Sequence, residues 1–469
     1  MKKITIFLAT LMGLTAFFSC KKYLDVKPKG YVIPQTTEDL ERVLNGLDLQ
    51  QAMPIELEKL SDDYFLRDVD KASLLKENSV DSRIYLWLAG IYSTPDEWNN
   101  NGIWGLIYNN IYQYNAVINN IDAADGGTPQ RKAIARSQAL LGRAWCYWYL
   151  VNLYCKPFDP ATASDAPGVP WITTNDISAP LPGRSTLQAT CNLIRADLEE
   201  ALKNLPASTT NPYLFTRAAG LGLFARTMLM QRNYADAAKM ADSALKYNDR
   251  LINYNTVYQT SDGRYTPIID APFGNMLTSP ENIHVHIYSN TRGMSGLDIS
   301  PATAKMFETH DLRNIFIKPD TATNTTTGKL DTSYIYNADV FFINNISITT
   351  PEMYLVRAES NIRLGRLSDA MADINLLRKN RIVSAYYKPL EAANATQAMN
   401  ILLAERRKEL LGHGARWFDM RRLNNDPVFG FTAHHYLKDG TSIDLSPNSN
   451  RYTLLIPPTA LTKDITQNP

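Results

Sequence analysis

The chain has 469 residues with 48 basic and 47 acidic side chains, a formal charge of +1 that excludes binding driven by attraction to nucleic acid or an anionic membrane surface. With 45% hydrophobic and 20% charged residues it has apolar material for one extended domain or two intimate ones, and no low-complexity linker divides it.

Lys2 and Lys3 precede an apolar run from Ile4 to Phe18 that is too short to span a bilayer, which predicts a secretory signal over residues 1–19. Cys20 follows directly. That placement predicts cleavage before Cys20 and its lipidation, with acyl chains replacing the lost anchor. Phe17, Phe18 and Ser19 depart from the usual cleavage context, so ordinary cleavage with Cys20 as a bystander is the alternative. Loss of the signal leaves 46 basic against 47 acidic side chains. Cys146, Cys155 and Cys191 remain, an odd number without C-x-x-C spacing, which predicts free, buried thiols.

Residues 36–46 read as a short helix with Thr37 as cap and Glu38 and Asp39 in its first turn. In residues 54–70, Leu57, Leu60 and Tyr64 are expected to face the core while Asp62 and Asp63 hold a turn whose spacing is not that of a calcium loop. Tyr85, Trp87, Tyr92, Trp98 and Trp104 crowd the next stretch. Trp104, followed by Tyr108, Ile111 and Tyr112 at helical spacing, is expected in the core; Trp87 and Trp98 flank the breaker at 93–96, a place where at least one of them could sit on a loop. Helices are predicted over 103–121 and 129–154, the second with small residues at Ala139, Gly142, Ala144 and Cys146. A helix over 186–206, with Ile194, Leu198 and Ala201 on one face, reads as its delayed partner across the loop at 157–184.

Two helical hairpins share one pattern. Aligning Ala225 with Ala358 sets Ala237 on Ala370, Ala241 on Ile374 and Ala244 on Leu377, and Arg232-Asn233-Tyr234 on Gly365-Arg366-Leu367. Gly365 suits a helix end, with Ser368 or Asp369 as the next cap. Small residues at close helix approaches point to a tetratricopeptide-type repeat, interrupted by insertions; two ordinary amphipathic hairpins are the alternative. Between the copies, residues 253–350 lose helical periodicity and offer only short alternating runs at 283–288 and 339–343. The reading is a few strands among long loops, an irregular surface suited to function.

After the second copy, Glu405, Arg406, Glu409, Leu410, Gly414, Arg416, Trp417, Asp419, Arg421 and Arg422 form an E-R-x-x-E-L helix followed by R-W-x-D-M-x-R. This resembles the carboxy-terminal signature of the SusD/RagB family, with His413 a departure where an acidic residue is expected. The start after Cys20 and the proline-bearing tail also resemble that family. The resemblance implies a mostly α, SusD-like fold: a single domain over 20–469, helical repeats within 103–248 and 351–423, and a ligand-facing insertion over 253–350. It implies that Glu405, Arg416 and Asp419 form a structural ion-pair network. For function it implies a cell-surface lipoprotein, not an enzyme, that binds oligosaccharides or polysaccharides and delivers them to a SusC-like TonB-dependent transporter. A peptide-binding member of the same family is the alternative.

No catalytic motif stands beside that reading. Gly293-Met294-Ser295-Gly296 falls short of a nucleophile elbow, Gly328-Lys329 lacks the rest of a phosphate loop, and the pairs His284/His286 and His434/His435 lack further ligands at zinc spacing. Nothing implies a metal or cofactor. A secreted glycoside hydrolase, the reading of another class, would need a carboxylate pair that sequence alone does not single out. Sugar rings stack their C–H faces on aromatic side chains. The resemblance implies ligand contacts within residues 85–98 and 253–350; there Trp87 and Trp98 are the expected stacking residues, with Tyr85, Tyr265 and Tyr288 next, and Arg264, Asn290 and Arg292 beside turn glycines as hydrogen-bonding partners, packing in the core being the alternative for each aromatic.

Overall fold

The computed structural model describes residues 34–53, 55–65, 71–91, 102–261, 264–267, 277–288, 298–323, 330–336, 345–424, 426–437 and 441–468. Residues from Thr36 onward form one unit. Its first helix, α1 (Thr37–Leu44), is capped one residue earlier than the sequence suggested: the Thr36 hydroxyl accepts from the Asp39 amide, and the Asp39 carboxylate accepts from the Thr36 amide. After α2 (Val80–Tyr85) come the long helices α3 (Ile103–Asn120) and α4 (Pro129–Tyr154), with α5 (Leu187–Ala201) as their partner across the loop. Trp104 is buried as expected, and Ile111 beside it is buried too, while Tyr112 is 42% exposed.

From Ser137 to Tyr154, α4 is buried on every side, so it forms the axis on which α3 and α5 pack. Gly142 marks the closest approach, since a Cβ there would lie 2.1 Å from the Tyr114 ring of α3. One guanidinium joins all three helices. Arg143 donates to both carboxylate oxygens of Asp197 on α5, at 2.8 Å each, and to Asn115 Oδ1 on α3, at 2.8 Å.

The hairpins α6 (Arg217–Met230)/α7 (Tyr234–Leu245) and α8 (Thr350–Arg363)/α9 (Leu367–Lys379) follow the internal alignment closely. Ala225, Ala237, Ala241 and Ala244 and their counterparts Ala358, Ala370, Ile374 and Leu377 are all 0% exposed. The turns match too: Arg232 has φ +58° and Gly365 φ +78°, and each following amide bonds back to the preceding helix, Asn233 to Met228 O and Arg366 to Asn361 O. The caps differ. Asn233 receives the Asp236 amide, but α9 starts at Arg366 with no side-chain cap, so the expected role of Ser368 or Asp369 is not realised. Although the whole insertion separates the copies, α7 packs on α8, where Arg357 grips Asp373 of α9 and Asp242 of α7. Arg226 of α6 likewise holds Glu352 of α8 with two hydrogen bonds, 2.9 and 2.6 Å.

The insertion contributes strands that pair with earlier chain. Gln51–Met53 (β1) pairs in parallel with Ile287–Tyr288 (β3), and an antiparallel sheet runs in the order β2 (Tyr64–Phe65), β4 (Asp298–Ile299), β6 (Leu330–Tyr336), β5 (Ile317–Thr323). The alternating run at 283–288 is thus strand only at its end, while the run at 339–343 lies outside the described residues. Helices α10 (Ala395–Glu409) and α11 (Arg416–Asn424) close the frame, followed by the hairpin β7 (Ala433–Tyr436)/β8 (Ser442–Leu445). The tail returns to α4: the Leu454 amide donates to Leu153 O, Asn468 Nδ2 to Tyr154 O, and Arg421 Nη2 to Cys155 O. Cys146, Cys155 and Cys191 are free and buried, and burial pushes the Cys155 thiol up to about 12.

Candidate functional site

The turn at residues 60–65 is where the early chain, the insertion and the late hairpin meet. Trp87 Nε1 donates to Leu60 O at 2.7 Å, and His435 Nε2 lies 2.9 Å from Ser61 O. The Ser300 amide donates to Asp63 O at 2.7 Å, and the Thr303 hydroxyl to Asp63 Oδ1 at 3.0 Å. The two regions expected to face a ligand, around residue 85 and in the insertion, are therefore joined through one turn.

Tyr85 and Trp87 themselves do not present their rings outward. They are 2% and 1% exposed, and the His435 imidazole lies stacked between them, 4.3 Å from the Tyr85 ring and 3.8 Å from the Trp87 ring. Trp87 has φ +50°, a costly conformation for a bulky residue, which the indole hydrogen bond and the imidazole stack offset. Proximity to a breaker suggested a loop residue, but burial of so large an apolar ring prevails. Both belong to the core and not to a stacking platform. Trp98, Asn290 and Arg292, and the lipidation candidate Cys20, lie outside the described residues. Of Arg264, Tyr265 and Tyr288 only the backbone is described: Arg264 and Tyr265 pair with Ser261 and Thr260, and Tyr288 with Met53.

The opposite side of the buried stack is exposed. Along β7, Ala433 and His435 point inward while His434 and Tyr436 point out, and Tyr436 is 46% exposed. Tyr85 Oη donates to the Tyr436 carbonyl at 2.7 Å, tying this edge to the stack. Asp444 on β8 accepts from the Ser442 hydroxyl at 2.7 Å and faces His434, Oδ1 to Nδ1 2.9 Å; these two hydrogen bonds hold its carboxyl below the usual carboxylate range. An aromatic face flanked by a carboxylate and an imidazole suits a polyhydroxylated ligand. Sequence reasoning missed Tyr436 and Asp444. The signal available was the in-out alternation of 433–436, obscured by reading His434 and His435 as an adjacent pair.

His284 and His286 do lie together, ring centroids 4.5 Å apart, in irregular buried backbone. The His284 nitrogens are engaged by Ser347 Oγ at 2.6 Å and Tyr213 O at 3.1 Å, and burial lowers both imidazole pKa values, His284 to about 3.

The signature charges are structural, but their partners differ from expectation. Glu405, Arg416 and Asp419 do not pair with one another. Glu405 takes Arg313 Nη2 at 2.8 Å, Arg378 Nη1 at 2.5 Å and Lys408 Nζ at 2.5 Å; Glu409 takes Arg313 and Arg381; and Arg381 reaches Glu281 at 2.7 Å. Asp419 is held by Arg406 at 2.7 Å and Arg422 at 2.8 Å, and Arg422 continues to Glu359. Arg416 grips Asp62, and Arg407 grips Asp63 at 2.6 Å. Burial alone would raise these carboxyls; Arg313, Lys408 and Arg378 outweigh it and hold Glu405 at about 2, as Arg406 and Arg422 do for Asp419. The ladder thus locks the insertion and the acidic turn onto α10 and α11. The departing residue His413 donates from Nδ1 to Asn345 O at 2.7 Å.

Comparison with known proteins fits this architecture. A family model described as starch-binding and associating with the outer membrane matches residues 22–229, and the SusD family model matches residues 348–454. No curated protein sequence matches. Among solved structures, a SusD superfamily protein of Bacteroides thetaiotaomicron is 19% identical, with a TM-score of 0.72 over 92% of this chain and 100% of its own. A SusD-like carbohydrate-binding protein of Bacteroides vulgatus is 20% identical, with a TM-score of 0.67 over 90% and 95%. A SusD superfamily protein of Bacteroides fragilis is 19% identical, with a TM-score of 0.71 over 92% and 100%. The fold is that of the SusD superfamily, a class of outer-membrane-associated binding proteins. The chain belongs to the SusD/RagB family.

Proposed function

We propose that this protein is a cell-surface lipoprotein that captures oligosaccharides or polysaccharides and delivers them to a SusC-like TonB-dependent transporter of the outer membrane. The match of residues 22–229 to a model described as starch-binding and outer-membrane-associated carries this reading. In it, residues 1–19 direct export, Cys20 bears the lipid, and no helix among the described residues is long and apolar enough to cross a membrane. The protein acts by binding and does no chemistry on the glycan. Tyr436, with His434 and Asp444, supplies one stacking face and its hydrogen-bonding rim. Trp98, Tyr265 and Tyr288, with Arg264, Asn290 and Arg292, are the further contacts proposed from sequence.

Affinity electrophoresis of the soluble mature protein through a panel of polysaccharides tests the reading. Retarded migration in at least one glycan, with no reducing ends released, is the expected result. Release of sugars would make the protein a hydrolase, and unaltered migration throughout, with binding only to peptides, would replace the ligand class.

A further inference from the structure

Ile177 is the most exposed large apolar side chain among the described residues, at 90%, and Leu181 on the same loop is 62% exposed. From Ile177 to Gly183 no side chain carries a charge, and Pro180 and Pro182 are exposed beside Leu181. A single exposed aliphatic residue is ordinary on a protein surface. Here two of them share one uncharged tip, and the chain beneath it is held in place.

Three side chains of α3 carry this loop outward. Tyr108 Oη donates to Pro170 O at 2.8 Å, Asn115 Nδ2 to Ile172 O at 2.9 Å, and Asn119 Nδ2 to Thr173 O at 2.9 Å. The outgoing chain therefore follows α3 from position 108 to position 119, about 16 Å toward its C-terminal end. Asp176 then folds its carboxylate into the turn, where Oδ1 accepts from the Ser178 amide at 2.9 Å and the Ser178 hydroxyl at 2.7 Å. The tip is ordered in advance, so burying its two aliphatic side chains costs little further entropy.

The folded unit begins at the same end of α3. The Thr37 amide donates to Asp125 O at 2.9 Å and the Thr37 hydroxyl to Gly126 O at 2.8 Å, just past Asn120, the last residue of the helix. Residues 20–35 precede that point, and a segment of this length reaches at most about 58 Å. A lipid on Cys20 thus keeps a bilayer within reach of the end of α3 from which the apolar tip projects.

We propose that the tip at 177–181 inserts Ile177 and Leu181 into the surface of the membrane that holds the anchor. The inference rests on the reading of Cys20 as lipidated. Two aliphatic side chains bind a bilayer weakly by themselves, but beside an anchor the step is intramolecular and the effective concentration of lipid is high. The tip brings no cation, so the contact requires no anionic lipid and is not screened by salt. It sets which face of the protein lies toward the bilayer.

The lipidated full chain carrying Ile177→Cys, labelled there with an environment-sensitive fluorophore, tests this in phosphatidylcholine vesicles that contain brominated lipid. Cys146, Cys155 and Cys191 are buried, which directs the label to position 177. The expected result is a blue shift and loss of emission by quenching, unchanged in high salt and abolished when Leu181→Asp is added. The same label at Val428→Cys, another exposed position, is expected to show neither. Protein that floats with the vesicles while the label at 177 stays as in water would overturn the insertion and leave the anchor standing. Equal quenching at 428, loss of quenching in high salt, or quenching that survives Leu181→Asp would also overturn it. Protein that does not float would overturn the anchor reading, and this inference with it.

Discussion

Arg416 and Asp62, 354 positions apart, meet in two parallel hydrogen bonds of 2.6 and 2.9 Å. The pair pins the acidic turn to the start of α11, and the Arg416 guanidinium also lies over the Phe431 ring. Removing one partner leaves the other charge buried, which costs roughly 3–5 kcal/mol. Arg416→Ala is therefore expected to lower the urea midpoint sharply or to abolish expression. A variant of normal stability that had lost glycan binding would move Arg416 from the frame to the binding site.

Trp87 and Tyr436 should separate by readout. Trp87→Ala removes a buried ring and is expected to cost roughly 3–5 kcal/mol of stability, with affinity per folded molecule unchanged. Tyr436→Ala, at an exposed position, is expected to leave stability within about 0.5 kcal/mol. It should weaken binding by about 1–3 kcal/mol if sugar stacking resembles base stacking in size. Paired denaturation and binding titrations of both variants decide the matter; unchanged affinity in Tyr436→Ala places the platform elsewhere.

Acid should unfold the protein through the ladder. Glu405 is held at about 2, below its usual 4.5, and Asp419 at about 2, below its usual 3.8. A carboxyl with a depressed folded pKa contributes stability that is complete above the unfolded value and is lost as pH falls through the folded one. The urea midpoint is thus expected to hold above pH 4.5 and to decline toward pH 2. Glu405→Gln should flatten that decline while lowering the plateau. A profile that the substitution leaves parallel to wild type would remove Glu405 as a source.

Gly142→Ala should be costly although alanine favours helix. The added methyl would meet the Tyr114 ring at 2.1 Å, so α3 and α4 must part, at a cost of roughly 1–3 kcal/mol. Gly142→Ala with Tyr114→Leu should recover part of the loss. Equal thermal stability of Gly142→Ala and wild type would show that the helices accommodate the methyl.

Cys20→Ser should release the protein from membranes into the soluble fraction with an unaltered Tm. Retention of the variant in the membrane fraction would locate the anchor elsewhere.

The frame was legible because its determinants are local. Periodicity placed α3 and α4 to within a residue, and small residues at fixed offsets revealed that the turns at Arg232 and Gly365 correspond. Side-chain destinations were not legible. Whether Trp87 turned inward depended on His435, and Arg416 and Glu405 find Asp62 and Arg313 far outside the signature, choices made by tertiary packing; Asp419 alone keeps its partners, Arg406 and Arg422, within it. Tyr436 was hidden for the same reason: its exposure follows from what His435 buries.

The tail's return to α4 sets the order in which the chain can become native. The carbonyls of Leu153, Tyr154 and Cys155 at the end of the central helix receive donors from Leu454, Asn468 and Arg421, so the axis of the N-terminal half is finished by α11 and the chain that follows it. A polypeptide threaded through a membrane from its N-terminus would present α4 hundreds of residues before those donors arrive. Such late, long-range closure is slow and leaves apolar surface open in the meantime. For a protein exported in this way, the interval between the emergence of α4 and the arrival of residues 421–468 is the period of greatest exposure to periplasmic chaperones and proteases.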